Sequence, residues 1–388
     1  MRLIYIHIYN GNPLNGINKK IFSQASNLYK LGINIKLALL SGISNKPVNE
    51  EYIEYLGINQ FYFFKLPIFY KILRQYYAKR YIKKIIRSTY SSTIVYLRYP
   101  LPLFLLPFDL SNKRRCYIVI ECNSIEIIEQ KKSGFGLLYI RELLLGKEFR
   151  KRCDAIVGVT DEITQYQIRR SGTSYKSHIT IGNGCDVNSI PIRNYPNFQA
   201  RTLNLLCVAN LSYWHGLDRL VRALSIYKGI TTVTIHIASE GAEVSFLNKL
   251  SKEMGVIDNV IFHGFKTGKE LDHLFNVCHI AIGSLGIHRK GLTQTSELKA
   301  REYCARGIPW VIACRDPDFP DDFPYIYRIP ADESPVNIEE LIEFANSVYI
   351  DPEHPQKMRT YAIEHLDWSV KMKKLKTFME SLFNEPPL

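Results

Sequence analysis

The chain has 388 residues, 46% of them hydrophobic, with a mean hydropathy of −0.11 and a formal charge of +13. That length exceeds one ordinary core and points to two domains, while no apolar run reaches the roughly 18 residues a membrane span needs. The eight cysteines form no CxxC and no His cluster, which argues against a zinc site or a disulfide framework and fits a reducing cytosol. Charge is uneven. Lys and Arg outnumber Asp and Glu by 28 to 13 over residues 1–190, whereas residues 191–388 carry 22 against 24. A basic first half suits an anionic partner, either a membrane surface or a nucleic acid.

The N-terminal MRLIYIHIYNG reads as a strand and a Gly turn rather than a signal peptide, because no small-residue cleavage site follows it. The turn NGNPLNG (10–16) could let backbone approach a phosphate through Gly11 and Gly16, or be a plain turn. GINKKIFSQASNLYKLG then reads as a helix stopped by Gly32, and NIKLALL as a second strand. Residues 66–90 form a helix whose apolar positions recur at 68, 69, 72, 73, 76, 77, 81, 82, 85 and 86, interleaved with seven basic residues and no acid. It is either a surface helix on a sheet or an interfacial helix lying on anionic lipid. STIVYLRY, YIVIECN and DAIVGV continue the strands. Arg98 and Glu121 end two of them, where they are candidate catalytic residues facing an acceptor or merely cap the next segment.

Past the turn-rich stretch 191–200, the rhythm repeats with LNLLCVA, TTVTIHIA, NVIFHG, HIAIGSL and PWVIA. Apolar strands of this length between amphipathic helices indicate parallel sheets covered on both faces, hence two Rossmann-like domains with a ligand expected at the carboxyl ends of the strands, in the cleft between them. The expected division is 1–190, 191–365, and a final helix over 366–388 that crosses back to the first domain. TSELKAREYCARGIPWVIA (295–313) opens as a helix that Ser296 can cap, ends at Gly307, and closes as a strand. Glu302 inside it is by default a solvated face residue.

The ordered set ITIGNGCDV (179–187), VANLSYWHGLDRLVRAL (208–224), IHIASEGAEVSFLNKL (235–250), NVIFHGF (259–265), HLFNVCHIAIGSL (273–285) and SELKAREYCARGIPWVIA resembles family 4 glycosyltransferases, retaining enzymes of the GT-B fold. The resemblance implies that Glu302, a few residues before Gly-x-Pro, accepts the ribose hydroxyls of a nucleotide sugar, for which a carboxylate with two oxygens is suited. It places Gln294 where relatives have a second Glu, and Asn210 and His215 where relatives usually carry an Arg and a Lys against the diphosphate. Arg289, Lys290 and Lys299 stand close enough in sequence to supply the missing positive charge, or else occupy a solvated loop and an exposed helix position. Asp316 and Asp318 form a DxD in a Pro-broken loop, and metal ligation there is not expected. Asn183 and Asp186 look structural.

The resemblance implies a metal-independent hexosyltransferase without cofactor, taking a nucleoside diphosphate sugar as co-substrate. It would hand the sugar, with retention, to a lipid-linked saccharide in surface-polysaccharide assembly. The expected setting is the cytoplasm, peripherally on the inner face of an anionic bacterial membrane. Two other readings compete: a nucleic-acid-binding protein using the basic half, and a catalytically silent nucleotide-binding subunit.

Overall fold

Runs of β-branched and aromatic residues bounded by turns set the strands, and central ones such as TIVYLR and CYIVIEC are buried along most of their length. The computed structural model describes residues 1–9, 11–13, 15–41, 48–57, 67–89, 92–99, 106, 116–132, 136–198 and 201–384. These divide into two compact units, Met1–Gly182 with Trp368–Leu388, and Asn183–Asp367.

The first unit is built on β1 (Arg2–Ile8), β2 (Asn34–Ser41), β3 (Ile53–Gly57), β4 (Thr93–Arg98), β5 (Cys116–Cys122), β6 (Ala155–Gly158) and β7 (Ser177–Thr180). All pairings are parallel, in the order β3-β2-β1-β4-β5-β6-β7. Its helices are α1 (Gly16–Lys30), α2 (Pro67–Ser88), α3 (Glu126–Lys132), α4 (Gly136–Arg152) and α5 (Asp161–Ser171). Asn15 caps α1 by accepting from the Ile17 N–H at 2.9 Å, and Gly32 at φ +77° ends its turn.

The second unit holds β8 (Thr202–Leu211), β9 (Thr232–Gly241), β10 (Val260–Phe262), β11 (Ile280–Ile282), β12 (Trp310–Ile312) and β13 (Ile326–Arg328), parallel in the order β10-β9-β8-β11-β12-β13. Around them run α6 (Leu217–Ile226), α7 (Glu243–Glu253), α8 (Gly268–Val277), α9 (Leu298–Arg306), α10 (Ile338–Tyr349) and α11 (His354–Tyr361). Buried apolar clusters cover both faces of this sheet, one centred on Leu205, Ile235 and Leu341, the other on Phe275, Trp310 and Phe319. After α11 the chain returns to the first unit as α12 (Trp368–Ser381), where Lys376 Nζ donates to the Leu31 carbonyl at the end of α1.

Two details depart from expectation. Ser296 does not cap α9. Its hydroxyl accepts the Asn183 N–H at 2.7 Å, and Glu297 takes the cap position instead. In α2, Ala78, Ile82, Ile85 and Ile86 are buried, so this part of the stripe is spent on the domain's own packing, while Tyr76 of the same helix is 45% exposed. The side chains of α2 before residue 75 lie outside the described residues.

Beneath α4 sits a buried ion cluster. Arg150 donates to Glu142 at 2.6 Å and to Glu126 at 3.0 Å, and both carboxylates are almost fully excluded from water. Burial raises the Glu126 carboxyl from its ordinary 4.5 to about 7, although Arg150 and Gln167 pull the other way. The folded state therefore binds this proton more tightly than the unfolded chain does. Its stabilising contribution is complete below pH 4.5 and is lost as pH rises through about 7. Glu126→Gln should accordingly gain stability on wild type between pH 5 and 8 and match it near pH 4. Chemical denaturation across that range checks this, and parallel profiles would contradict it.

Candidate functional site

In the second unit the strand order reverses between β8 and β11, and that is where the carboxyl-end loops of a parallel sheet open a crevice. The loop after β8 turns at Tyr213–His215, and the loop after β11 turns at Ile287–Lys290. The two backbones cross closely. Gly216, at φ +65°, would place a Cβ 2.7 Å from the Gly286 nitrogen, and the Leu285 N–H donates to the His215 carbonyl at 2.9 Å. A side chain at Gly216 would force these loops apart.

Three of the expected residues come together here. His215 Nδ1 accepts the Ser212 N–H at 3.0 Å. The same Nδ1 lies 3.2 Å from the Ser212 carbonyl oxygen, and the tautomer that accepts the N–H carries its ring proton on Nε2, as a donor. Burial, with the nearby charges of Lys299 and Lys290, holds the imidazole well below its ordinary pKa, so it is neutral at physiological pH. Lys290 lies with its ammonium 4.8 Å from the Trp214 ring centre, a cation–π contact. Lys299 stands in the first turn of α9. Its Nζ is buried without a hydrogen-bond partner, and its closest carboxylate is Glu297 at 3.8 Å. A desolvated ammonium with unused donors is costly unless something anionic joins it.

The α9 N-terminus is held in place from below. Arg301, fully buried, pairs with Asp316 and Asp318 and donates to the Asn183 carbonyl at 2.9 Å and the Glu297 carbonyl at 3.1 Å. The Asp-x-Asp pair is thereby committed to an arginine. Glu297, through its carboxylate, accepts the Ser284 N–H at 3.2 Å and ties the helix start to the end of β11. Gln294 forms a backbone bridge with Arg315, which anchors the segment leading into α9.

Glu302 lies one turn beyond Lys299, on the same side of the helix. One oxygen accepts Arg306 Nε at 2.9 Å, while Arg306 also pairs with Asp272 at 2.7 Å; the Glu302 side chain keeps 30% of its surface exposed. Asn210 is exposed at the end of β8. Arg289 is differently placed. It is clamped by Asp218 at 2.8 Å and Glu333 at 2.5 Å and donates to the Tyr213 carbonyl, so its charge supports the loop after β8.

In the first unit, the strand order reverses between β1 and β4. Gly11, at φ +88°, follows β1, and Gly16 begins α1; Asn10 and Leu14 of that turn lie outside the described residues. Arg98 and Glu121 are register partners on β4 and β5. Glu121, 2% exposed, pairs with Lys20 of α1 at 2.5 Å and accepts from Tyr5 and Gln24. Burial would raise its pKa, but Lys20 and Arg98 outweigh it and hold the carboxyl below the ordinary value. Arg98 keeps one buried guanidinium nitrogen, Nη1, without a partner.

The residues missed by sequence reasoning are Trp214, Ser284, Glu297 and Arg301. The glycines flanking Ser284 and Leu285 were the available signal, since Gly after a buried strand marks close backbone approach.

Residues 191–297 match the family model described as glycosyl transferases group 1. No curated protein sequence matches the chain. Solved structures match its fold over almost its whole length. Sucrose-phosphate synthase from Thermosynechococcus elongatus aligns at a TM-score of 0.70 and 14% identity, covering 99% of each chain. WaaG, a glycosyltransferase involved in lipopolysaccharide biosynthesis, aligns at 0.65 and 14% over 97% of this chain and 99% of that one. HepE of Anabaena, solved with UDP and glucose, aligns at 0.63 and 12% over 98% and 100%. At such identities the likeness is one of fold, and the fold is GT-B, with two parallel-sheet α/β domains.

The orphaned ammonium gives a test that separates binding from packing. Lys299→Met should weaken UDP or GDP binding about 10- to 100-fold while changing the thermal midpoint of the free protein little, because relief of the ammonium's desolvation and loss of its 3.8 Å pairing with Glu297 act in opposite senses. Titration calorimetry and thermal unfolding read the two effects. A lower midpoint with unchanged nucleotide affinity would make Lys299 purely structural.

Proposed function

We propose that the chain is a glycosyltransferase that moves a sugar from a nucleoside diphosphate sugar to a glycan acceptor. One observation carries the reading: Lys299, its ammonium buried without a hydrogen-bond partner and with a single carboxylate at 3.8 Å, stands in the first turn of α9 beside Lys290 and a neutral His215 with an Nε2–H to give. Two ammonium groups, an N–H donor and the positive end of a helix suit a diphosphate. The match of residues 191–297 to group 1 glycosyl transferases supports the same chemistry.

In this reading the donor's diphosphate lies against Lys299, Lys290 and His215, and Glu302 turns its remaining oxygen to the ribose hydroxyls. Departure of the nucleoside diphosphate is the step in which charge grows, so cations already fixed there lower the barrier. Glu121 is engaged by Lys20, Tyr5 and Gln24, so its carboxylate holds the underside of α1 rather than acting as base or nucleophile. We extend the proposal to retention of anomeric configuration, hexose as the sugar, independence from metal, and a lipid-linked acceptor in bacterial surface-polysaccharide assembly, following the family 4 resemblance. Support for metal independence is that Asp316 and Asp318 are consumed by Arg301.

A turnover assay over a panel of nucleotide sugars, with product anomers read by NMR, tests the reading. Nucleotide binding with no turnover on any acceptor would instead indicate a silent subunit. For the active protein, Glu302→Ala should lower kcat/KM roughly ten- to thousandfold, the value of one or two hydrogen bonds to a charged acceptor, with the fold intact. Wild-type kinetics in that variant would remove Glu302 from the site. Activity should also survive EDTA.

A further inference from the structure

The crevice that would take a diphosphate also holds an acid. Glu297, the N-cap residue of α9, has Oε2 3.8 Å from Lys299 Nζ, with each side chain 11% exposed. Among the described residues this is the ammonium's sole ion pair. At that length the pair is electrostatic and no hydrogen bond forms, so the three N–H donors of Lys299 remain unused.

The acid is pinned where it stands. Oε2 accepts the Ser284 N–H at 3.2 Å, and the Glu297 carbonyl accepts Arg301 Nη1 at 3.1 Å, from an arginine that Asp316 and Asp318 hold. The positive end of α9 favours a negative charge there as well. Lys299, on a flexible four-carbon stem, can turn its ammonium to an incoming anion. With the ammonium in its present place, an oxyanion hydrogen-bonded to Nζ at about 2.8 Å lies within roughly 6.6 Å of Oε2. That is closer than the Debye length of about 8 Å, so the carboxylate and the anion repel. A phosphate site gains nothing from such repulsion. Holding the Ser284 N–H explains an acceptor at position 297, which glutamine would supply equally, and does not explain the charge.

Building on the sugar-transfer reading, we infer that Glu297 sets the site's preference between substrate and product: its charge weakens the grip on the free nucleoside diphosphate more than on the sugar ester. The two ligands differ by about one charge. In the ester each phosphate carries a single negative charge. Transfer breaks the bond from the anomeric carbon to the β-phosphate oxygen and forms one to the acceptor oxygen, whose proton passes to solvent. The electron pair stays on the phosphate, which gains a second ionisation with a pKa of about 6 and carries about two charges at pH 7. Lys299, Lys290 and the His215 Nε2–H stabilise that charge as it grows, and the same contacts would retain the product. Glu297 opposes retention, because a fixed carboxylate repels the doubly charged phosphate more than the singly charged one. Release of the diphosphate, a step that limits turnover in many enzymes, is thereby quickened.

Glu297→Gln keeps an acceptor for the Ser284 N–H and removes the charge. Titration calorimetry of wild type and variant with UDP, GDP and ADP, each also as its glucose ester, reads the difference. The nucleotide that wild type binds should bind the variant about tenfold more tightly as the free diphosphate, and at most about threefold more tightly as the ester. Stopped-flow mixing should show the diphosphate leaving the variant several-fold more slowly. Should the variant fail to fold, wild type alone remains decisive: at low salt its free diphosphate should bind within about threefold of the ester. A free diphosphate held tenfold or more tightly than the ester would overturn the proposal. So would equal gains, or no gain, for both ligands in the variant, with the sugar-transfer reading left standing. Failure of wild type to bind any of the six nucleotides would remove that reading and the proposal together.

Discussion

A cation withheld from water without a hydrogen-bond partner raises the free energy of the folded state, and the second unit is organised to keep Lys299 in that condition. Arg301 locks the helix that carries it to Asp316, Asp318 and Asn183. Glu297 ties the helix start to the end of β11. Gly216 lets the loop after β8 lie against Gly286, which brings His215 and Trp214 to the same place. The Glu297 carboxylate, 3.8 Å from the ammonium, offsets part of its desolvation. The other contacts fix its position, so that in the proposed reading an anion meets donors already aligned and does not have to order them.

The first unit solves a different problem with a similar device. Two groups of its buried charges are paired: Lys20 with Glu121 under α1, and Arg150 with Glu126 and Glu142 under α4. Pairing them inside frees the outer surfaces for a net positive face and, on α4, for exposed leucines. Buried ion pairs seldom add stability over apolar packing. Their effect here is geometric, because they hold Arg150 and Glu142 on the inward side of α4, beside the buried Phe149.

Much of the architecture was legible in sequence, for reasons that particular residues make clear. RLIYIHI, YIVIECN and TTVTIHIA are long apolar runs that only a sheet covered on both sides can bury, and Gly32 and Gly307 close their helices with positive φ. The strands β3, β7 and β13 were not seen, since IEYLG, SHIT and IYR are short and mix polar with apolar residues. At the site, the helical Glu302 and Lys299 and the turn residue His215 could be named from motif order. The fate of Arg289 could not. Its two carboxylate partners, Asp218 and Glu333, are 71 and 44 residues away in the chain, and no local pattern reveals that its charge is already taken. Ser296 misled in the same way, because Asn183, more than a hundred residues earlier, claims its hydroxyl.

In the proposed reading the second unit grips the diphosphate, rather than the base or the sugar. Titration calorimetry of wild type with the mono- and diphosphates of one nucleoside, at low and high salt, addresses this most directly. The diphosphate should bind at least tenfold more tightly than the monophosphate, and the gap should narrow as salt rises. Equal affinities for the two at low salt would contradict the account.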